Sequence, residues 1–205
     1  MRFAKMVLAA ALGLGLGGCG YNRIQDLDER AEQAKSNIGV QLTARNQLIP
    51  NLVATVKGAA EFERGTQTEI ARARAGQLQQ AEQQLTQARQ QTQAAVQGGD
   101  VQQMQAADAA AVRSIGTYLN IAVEAYPELR ATQNFTALQD QLAESENKIA
   151  QARTDYNSAV RDYNTYIRQF PQTITAKITG ADRKEPYQAP AGSEQAPTVD
   201  FSQPK

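Results

Sequence analysis

Apolar residues recur every three or four positions over long stretches of this sequence, and that spacing constrains the fold most. The longest stripe is nearly all apolar and consists of Phe135, Leu138, Leu142, Ser145, Ile149, Ala152, Tyr156, Ala159, Tyr163, Ile167 and Phe170. Such a spacing places the side chains on one face of an α-helix, and its persistence favours coiled-coil-like packing against other helices. At a rise of ~1.5 Å per residue, this helix would be about 50 Å long. The sequence therefore predicts an all-α fold built from long helices.

Three further stripes precede the longest one. They run over residues 24–56, 70–96 and 104–126, in a part of the chain that is rich in the helix-favouring residues Ala and Gln. Gly98 and Gly99 end one helix, and Asp100 can cap the next. Pro50 lies inside the first stripe and lacks a backbone N–H, so we expect a kink there. Four stripes with short connections predict an antiparallel up-and-down four-helix bundle.

The start of the chain has the features of a bacterial lipoprotein signal peptide. Arg2 and Lys5 precede an uncharged apolar run from Met6 to Leu16, which is short for a membrane-spanning helix. Leu16-Gly17-Gly18-Cys19 follows and resembles a lipobox, with Cys19 as the only cysteine of the chain. We expect acylated Cys19 to bind membrane lipid. The alternative is an uncleaved signal anchor in which Cys19 is an incidental thiol.

These patterns divide the chain into four regions. We predict a signal peptide over residues 1–18, a lipid-anchored linker over 19–25, the helical bundle over 26–179 and a Pro-rich disordered tail over 180–205. The predicted location is the cell envelope, anchored by lipid and facing the periplasm or the exterior. Gly20, rather than Asp, follows the cysteine, which argues weakly against retention in the inner membrane; both membranes remain alternatives.

The composition argues against most catalytic and metal chemistry. There is no His, and with one Cys the chain can form neither an internal disulfide nor a cysteine-rich zinc site. Lys and Arg balance Asp and Glu at 21 each, so there is no net basic field for nucleic acid. Carboxylates such as Glu144 and Glu146 are two positions apart and point to different helix faces. We therefore predict no enzyme activity, no catalytic residue, no metal and no cofactor.

Several polar residues lie on or beside the apolar stripes. They are Asn37, Arg45, Asn51, Asn120, Glu146 and Asn157. A buried amide or charge must find a partner or it destabilises the fold. The structural interpretation is a polar network between helices that fixes their register. The functional alternative makes Arg45 and Glu146 part of a binding cleft.

Two parts of the sequence resemble the LemA family. The first comprises Asn37-Ile38-Gly39-Val40-Gln41-Leu42, Leu48-Ile49-Pro50-Asn51-Leu52-Val53 and Val56-Lys57-Gly58; the second runs from Tyr126-Pro127-Glu128-Leu129-Arg130-Ala131 to Phe170-Pro171. The resemblance implies an antiparallel four-helix bundle just outside a membrane, and it implies no particular reaction. Lys35 replaces an expected Trp and Phe62 an expected His, so a site that relied on either residue is not expected here.

Together these features predict a lipoprotein-type LemA member that acts as a membrane-anchored scaffold or interaction protein of the envelope. Its partner would be another envelope protein, and an oligomer is compatible with the pattern. The alternative function is a peptide or small-ligand binding module that uses a polar cleft between helices.

Overall fold

The computed structural model is all-α over the residues it describes, which are 2–62 and 69–188. Side chains are described for residues 20–61 and 75–188. In chain order the helices are α1 (Arg2–Phe62), α2 (Glu69–Gly98), α3 (Val101–Ala125), a short 3-10 helix (Pro127–Ala131), α4 (Gln133–Tyr166) and α5 (Gln172–Thr179). No strand occurs within the described ranges. The predicted fold class, all-α with long helices, is confirmed.

Local sequence signals account for the helix ends. Asp100 caps α3, because its side chain accepts a hydrogen bond from the backbone N–H of Gln103 at 2.7 Å. Gly99 immediately before it has φ 68°, a left-handed conformation that glycine adopts without steric cost. Gly180 is the C-cap of α5 and has φ 69°, also in the left-handed region. These are the positions at which the sequence allows the chain to turn.

The helices form two compact units, each described by itself. The first contains residues 2–38 and 151–187, and the second contains residues 39–62, 69–150 and 188. In the second unit, α1 to α4 all contribute buried side chains to one apolar cluster, represented by Leu52, Leu85, Tyr118 and Phe135. These residues come from the predicted stripes. Burial of the stripe faces is the main source of stability for such an arrangement.

The first unit has a smaller core around the end of α4. Ile24 and Leu27 of α1 pack with Tyr163, Ile167 and Ala176. Gly20 of α1 lies against α5, since a Cβ at this position would be 3.7 Å from Thr175 Oγ1 and 3.8 Å from Gln172 Cγ. The C-terminal helix therefore packs beside the residue that directly follows Cys19.

Helix α1 is longer than the first stripe. It is continuous through Pro50, and a kink there remains a prediction. Residues 19–25, predicted as a linker, belong to the same helix, because no proline interrupts them and extending an existing helix costs little. The side chain of Cys19 lies outside the described side chains. Within the described residues, no helix combines the length and apolarity needed to cross a membrane.

The predicted disordered tail differs from the structure at residues 181–188. Asn164 donates to Lys184 O at 2.8 Å and accepts from Lys184 N at 2.9 Å, while Asn157 makes the corresponding pair with Tyr187 at 2.9 and 2.7 Å. Tyr187 is buried at 4% exposure. The two asparagines lie two helical turns apart and supply the backbone partners that an isolated extended segment lacks. Residues 189–205 of the predicted tail lie outside the described part of the chain.

Candidate functional site

A buried arginine in the second unit holds two carboxylates from two other helices. Arg45 of α1 is 1% exposed; its Nη2 lies 2.8 Å from Asp108 Oδ1 of α3, and its Nη1 donates to Glu146 Oε1 of α4 at 2.6 Å. Asp108 is 1% exposed and Glu146 33% exposed. We call these three residues the ion triad. Each of its members comes from a different helix, so the triad links α1, α3 and α4 through charge-assisted contacts.

The electrostatics of the triad keep its arginine charged. Burial alone would lower the pKa of Arg45, but the negative charges of Asp108 and Glu146 and their hydrogen bonds outweigh that effect and raise the pKa. An uncompensated guanidinium in an apolar core would be strongly unfavourable. Asp108 and Glu146 therefore make the burial of this cation tolerable.

Asn46, the next residue along α1, adds a contact to α2. Its Nδ2 donates to the backbone carbonyl of Arg89 at 3.0 Å, and the residue is 8% exposed. Consecutive residues of α1 thus make polar contacts with all three other long helices of this unit. Polar contacts of this kind require one register between helices, as a polar core residue does in a coiled coil.

The structure brings together two of the six residues of the predicted polar network. Arg45 and Glu146 are in contact, whereas Asn157 lies in the first unit and binds the backbone of Tyr187. Three other residues of the predicted network, Asn37, Asn51 and Asn120, are exposed. They lie at positions next to buried stripe residues, and adjacent positions on a helix differ by about 100° in direction.

Sequence reasoning missed Asp108, the most buried carboxylate of the triad. It follows Met104 by four positions and precedes Ala111 by three, and both neighbours are buried on the same face of α3. This spacing is the signal that could have identified it. Asn46 was missed as well, although it follows Leu42 by four positions and precedes Ile49 by three, and both of these neighbours are buried.

A second charged cluster surrounds Lys184 in the first unit. Its Nζ lies 2.7 Å from Glu32 Oε1 and 3.1 Å from Asp28 Oδ1, and 5.5 Å from the centre of the Tyr163 ring. Burial would lower the pKa of Lys184, but hydrogen bonds to both carboxylates raise it overall. For Glu32, burial would raise the pKa, yet the hydrogen bonds from Lys184 and Lys35 lower it. The cluster fastens the 181–188 segment to α1.

Two cavities of the second unit open on the Gln-rich helix α2. One, of about 290 Å³, is lined by Gln84, Gln87, Ala88, Gln91, Ala110, Arg113, Ser114 and Thr117. The other, of about 530 Å³, is lined by Lys57, Gln79, Glu82, Gln83, Thr86, Gln87 and Gln90. Neither lining includes a member of the ion triad. In the part of the chain with described side chains, no group of three or more His, Cys, Asp or Glu residues could hold a metal ion.

The fold and the ion triad define a class of protein: a long-helix, all-α protein whose buried charges are bound to one another across helices. The model of the LemA family matches residues 34–201, which is most of the chain. The chain belongs to the LemA family, and the family resemblance in its sequence is confirmed. Comparison with curated proteins found no match to this chain.

Proposed function

We propose that this LemA-family protein is a lipid-anchored helical scaffold or interaction protein of the bacterial cell envelope. The observation that carries the proposal is the position of Cys19, the only cysteine, directly after Leu16-Gly17-Gly18 and an uncharged apolar run. Acyl chains on Cys19 would give durable attachment, because each buried methylene contributes ~0.8 kcal/mol and several chains act together. The protein would face the periplasm or the exterior.

For its architecture, we infer an antiparallel up-and-down four-helix bundle. The shared apolar cluster of α1 to α4 and the contacts of Arg45 with α3 and α4 support this arrangement. The charges of the ion triad are engaged with each other, which favours a structural role for them over a catalytic one. A stable, rigid helical body suits a protein that presents a surface to a partner, and we propose another envelope protein as that partner.

Acyl labelling of Cys19 variants tests the lipid anchor. Cells that express the full chain are fed an alkyne fatty acid, and the purified protein is examined for the label and by intact mass. The wild type should carry label and lose residues 1–18, whereas Cys19→Ser should do neither. The matched control, Cys19→Ser with Ser36→Cys, restores one cysteine at an exposed position and should stay unlabelled. An unlabelled wild type retained in membranes with residues 1–18 intact would favour the signal-anchor alternative.

Crosslinking in intact membranes tests the interaction role. A photocrosslinking residue at exposed positions of the second unit, such as Val40 and Asn120, should capture one envelope protein repeatedly. The same residue at buried Leu52 serves as the control and should capture nothing. Capture of only a second copy would indicate an oligomer instead of a separate partner, and no specific product at any exposed position would contradict the scaffold role.

The cavities on α2 support a second candidate, a binding module for a peptide or small polar ligand. Amide side chains offer both donors and acceptors, which match a peptide backbone. Titration of the full chain with short neutral peptides, followed by amide NMR shifts, should perturb α2 residues such as Gln83 and Gln87. Gln83→Ala should remove the response and Gln139→Ala, on α4, should leave it. Shifts spread evenly over the surface would argue against this candidate.

A further inference from the structure

The exposed apolar side chains of the first unit are concentrated at α5. Phe170 is 81% exposed, Ile174 52% and Ile178 80%. They are spaced four residues apart, and within α5 that spacing puts Ile174 and Ile178 on one side of the helix. We call these three residues the α5 apolar surface. The opposite side of α5 carries Ala176, which is buried in the core of the unit, so this helix is apolar on both sides.

This surface lies beside the predicted attachment point of the lipid. Gly20 packs against Gln172 and Thr175 of α5, at the distances of ordinary van der Waals contact for a Cβ. The Cα of Cys19 is only ~3.8 Å from that of Gly20 in the chain. An acyl group on Cys19 would therefore enter a bilayer close to α5, which places α5 near the interface between lipid and water.

The charge around the surface matches an anionic lipid headgroup layer. The segment 161–183 contains four Lys or Arg residues and two Asp residues, a net charge of +2, and its cations Arg168 and Lys177 are exposed. Apolar side chains flanked by exposed cations are typical of segments that lie in the plane of an interface. Tyr21, two residues after Cys19 and 44% exposed, is an aromatic residue of the type enriched at that depth.

We propose that the α5 apolar surface docks on the anionic lipid surface into which Cys19 is anchored. Phe170, Ile174 and Ile178 enter the boundary between headgroups and acyl chains, and Arg168 and Lys177 contact lipid phosphates. The inference rests on the proposed function in one respect, the attachment of the chain to lipid near Cys19. Docking adds a second attachment point to the lipid on Cys19. Two attachment points orient the first unit on the membrane, whereas a single one would let it rotate.

A depth measurement on the full chain tests the docking. Ile178→Cys is labelled with an environment-sensitive fluorophore, and the protein is placed in vesicles of phosphatidylcholine with phosphatidylglycerol. The matched control is Thr154→Cys, an exposed position on α4 that is about 20 Å along the helix from Ile167. The fluorophore at position 178 should be quenched by spin-labelled lipids and should be about threefold less accessible to aqueous iodide than that at position 154.

The intact mass of the same samples separates the proposal of acylation at Cys19 from the proposal of docking by the α5 apolar surface. An acylated protein whose fluorophore at position 178 stays fully accessible to iodide overturns the docking surface alone. If the intact mass shows no acyl group, Cys19 is a second free thiol, so the labelled variants also carry Cys19→Ser. A fluorophore at position 178 that is then embedded in lipid overturns the lipoprotein proposal and retains the docking surface. Protection at position 178 without vesicles, together with a doubled mass in solution, overturns lipid docking in favour of a second copy of the chain.

Vesicle binding of the unanchored chain gives an independent readout. The Cys19→Ser chain with residues 2–18 removed has neither acyl group nor apolar run, so only its folded surface can bind. Ile178→Ser should weaken its binding to anionic vesicles by about tenfold, whereas Val40→Ser, which removes a side chain that is 58% exposed, should change it less than about twofold. Equal effects of both substitutions, or equal binding to neutral vesicles, would overturn the docking surface.

Discussion

Arg45 and Asp108 face each other in the core of the second unit with 2.8 Å between Nη2 and Oδ1, and each side chain is 1% exposed. The third member of the triad, Glu146, reaches the same guanidinium from the rim of the core. Removing charges from water is costly, and their mutual attraction offsets that cost only while the contacts are intact. We therefore expect the pair to contribute more to selecting one helix arrangement than to net stability.

Asp108→Asn should destabilise the protein by about 3 kcal/mol, because it leaves a buried cation with only the partly solvated Glu146 as its counterion. Urea unfolding followed by circular dichroism measures the change in the free energy of unfolding. The control is Asp140→Asn, an exposed carboxylate of α4, which should change this free energy by no more than about 0.5 kcal/mol. Equal effects of the two substitutions would contradict the buried ion pair.

Replacing both members of the pair by apolar residues should restore most of the stability that Asp108→Asn removes. The double variant Arg45→Met with Asp108→Leu contains no buried charge at these positions, and Glu146 can turn to solvent. Its free energy of unfolding should return to within about 1 kcal/mol of the wild type. If the triad fixes the register of the helices, the double variant should nevertheless show broader amide NMR lines in the second unit. A double variant less stable than either single variant would contradict this account.

The fold class could be predicted from the sequence because the stripes are long. The stripe from Phe135 to Tyr163 maps onto α4, and its members Phe135, Leu138, Leu142 and Ile149 are all buried. Its last part was wrong, because α4 ends at Tyr166 and Phe170 is exposed. The extent of α1 could not be predicted, since the stripe pattern begins at Ile24 while the helix begins at Arg2. Hydrophobic periodicity detects a buried face, and a helix without such a face gives no periodic signal.

The site could be predicted only in part, for a geometric reason. Arg45 and Glu146 lie at stripe positions or at their edges, so their polarity was visible against an apolar background. Their partner Asp108, however, is 63 positions from Arg45 and 38 from Glu146 in the chain. Pairing across helices depends on their relative register, which no single helix pattern encodes. The anchoring of residues 181–188 was missed because their composition resembles that of disordered segments.

The hydroxyl of Tyr118 should reduce stability rather than add to it. The side chain is fully buried in the apolar cluster of the second unit, and its oxygen has no hydrogen-bond partner. Burial raises the pKa of this phenol, with a further contribution from the negative charge of Glu82. Tyr118→Phe removes an unsatisfied polar atom and should increase the free energy of unfolding by about 1 kcal/mol.

Tyr156→Phe provides the contrast with Tyr118→Phe. The hydroxyl of Tyr156 donates to the carbonyl of Glu185 at 2.8 Å, so its removal should decrease the free energy of unfolding by about 1 kcal/mol. Thermal or urea unfolding of the two variants under identical conditions gives both values. If Tyr118→Phe also decreased the free energy of unfolding, the hydroxyl of Tyr118 would have a hydrogen-bond partner.

Asn157→Leu should release residues 185–188 from α4 while leaving the helix intact. The substitution removes both hydrogen bonds with Tyr187, and leucine keeps the branched shape of the side chain while favouring the helix more than asparagine does. Hydrogen exchange read by mass spectrometry or NMR should accelerate at the amide of Tyr187 by about tenfold or more. Asn147→Leu, at an exposed position of α4, should leave that rate unchanged. Unchanged exchange in Asn157→Leu would mean that the burial of Tyr187 alone holds the segment.

The cluster of Lys184 with Glu32 and Asp28 should make stability depend on pH at both ends of the scale. The pKa of Glu32 is lower in the folded chain than its ordinary value of 4.5, so its contribution is complete above that value and is lost as pH falls through the folded pKa. The pKa of Lys184 is raised above 10.5, so its contribution is complete below that value and is lost as pH rises through the folded pKa.

Lys184→Met should therefore cost about 1 kcal/mol of unfolding free energy at neutral pH, a modest value because Glu32 and Asp28 are partly exposed. The difference from the wild type should be constant from about pH 5 to pH 10 and should shrink toward acid, as Glu32 loses its charge. Urea unfolding at a series of pH values measures both curves, and Lys177→Met, an exposed lysine of α5, serves as the control. A difference that grows as the pH falls below 4.5 would contradict the pairing, because protonated Glu32 can no longer attract the lysine.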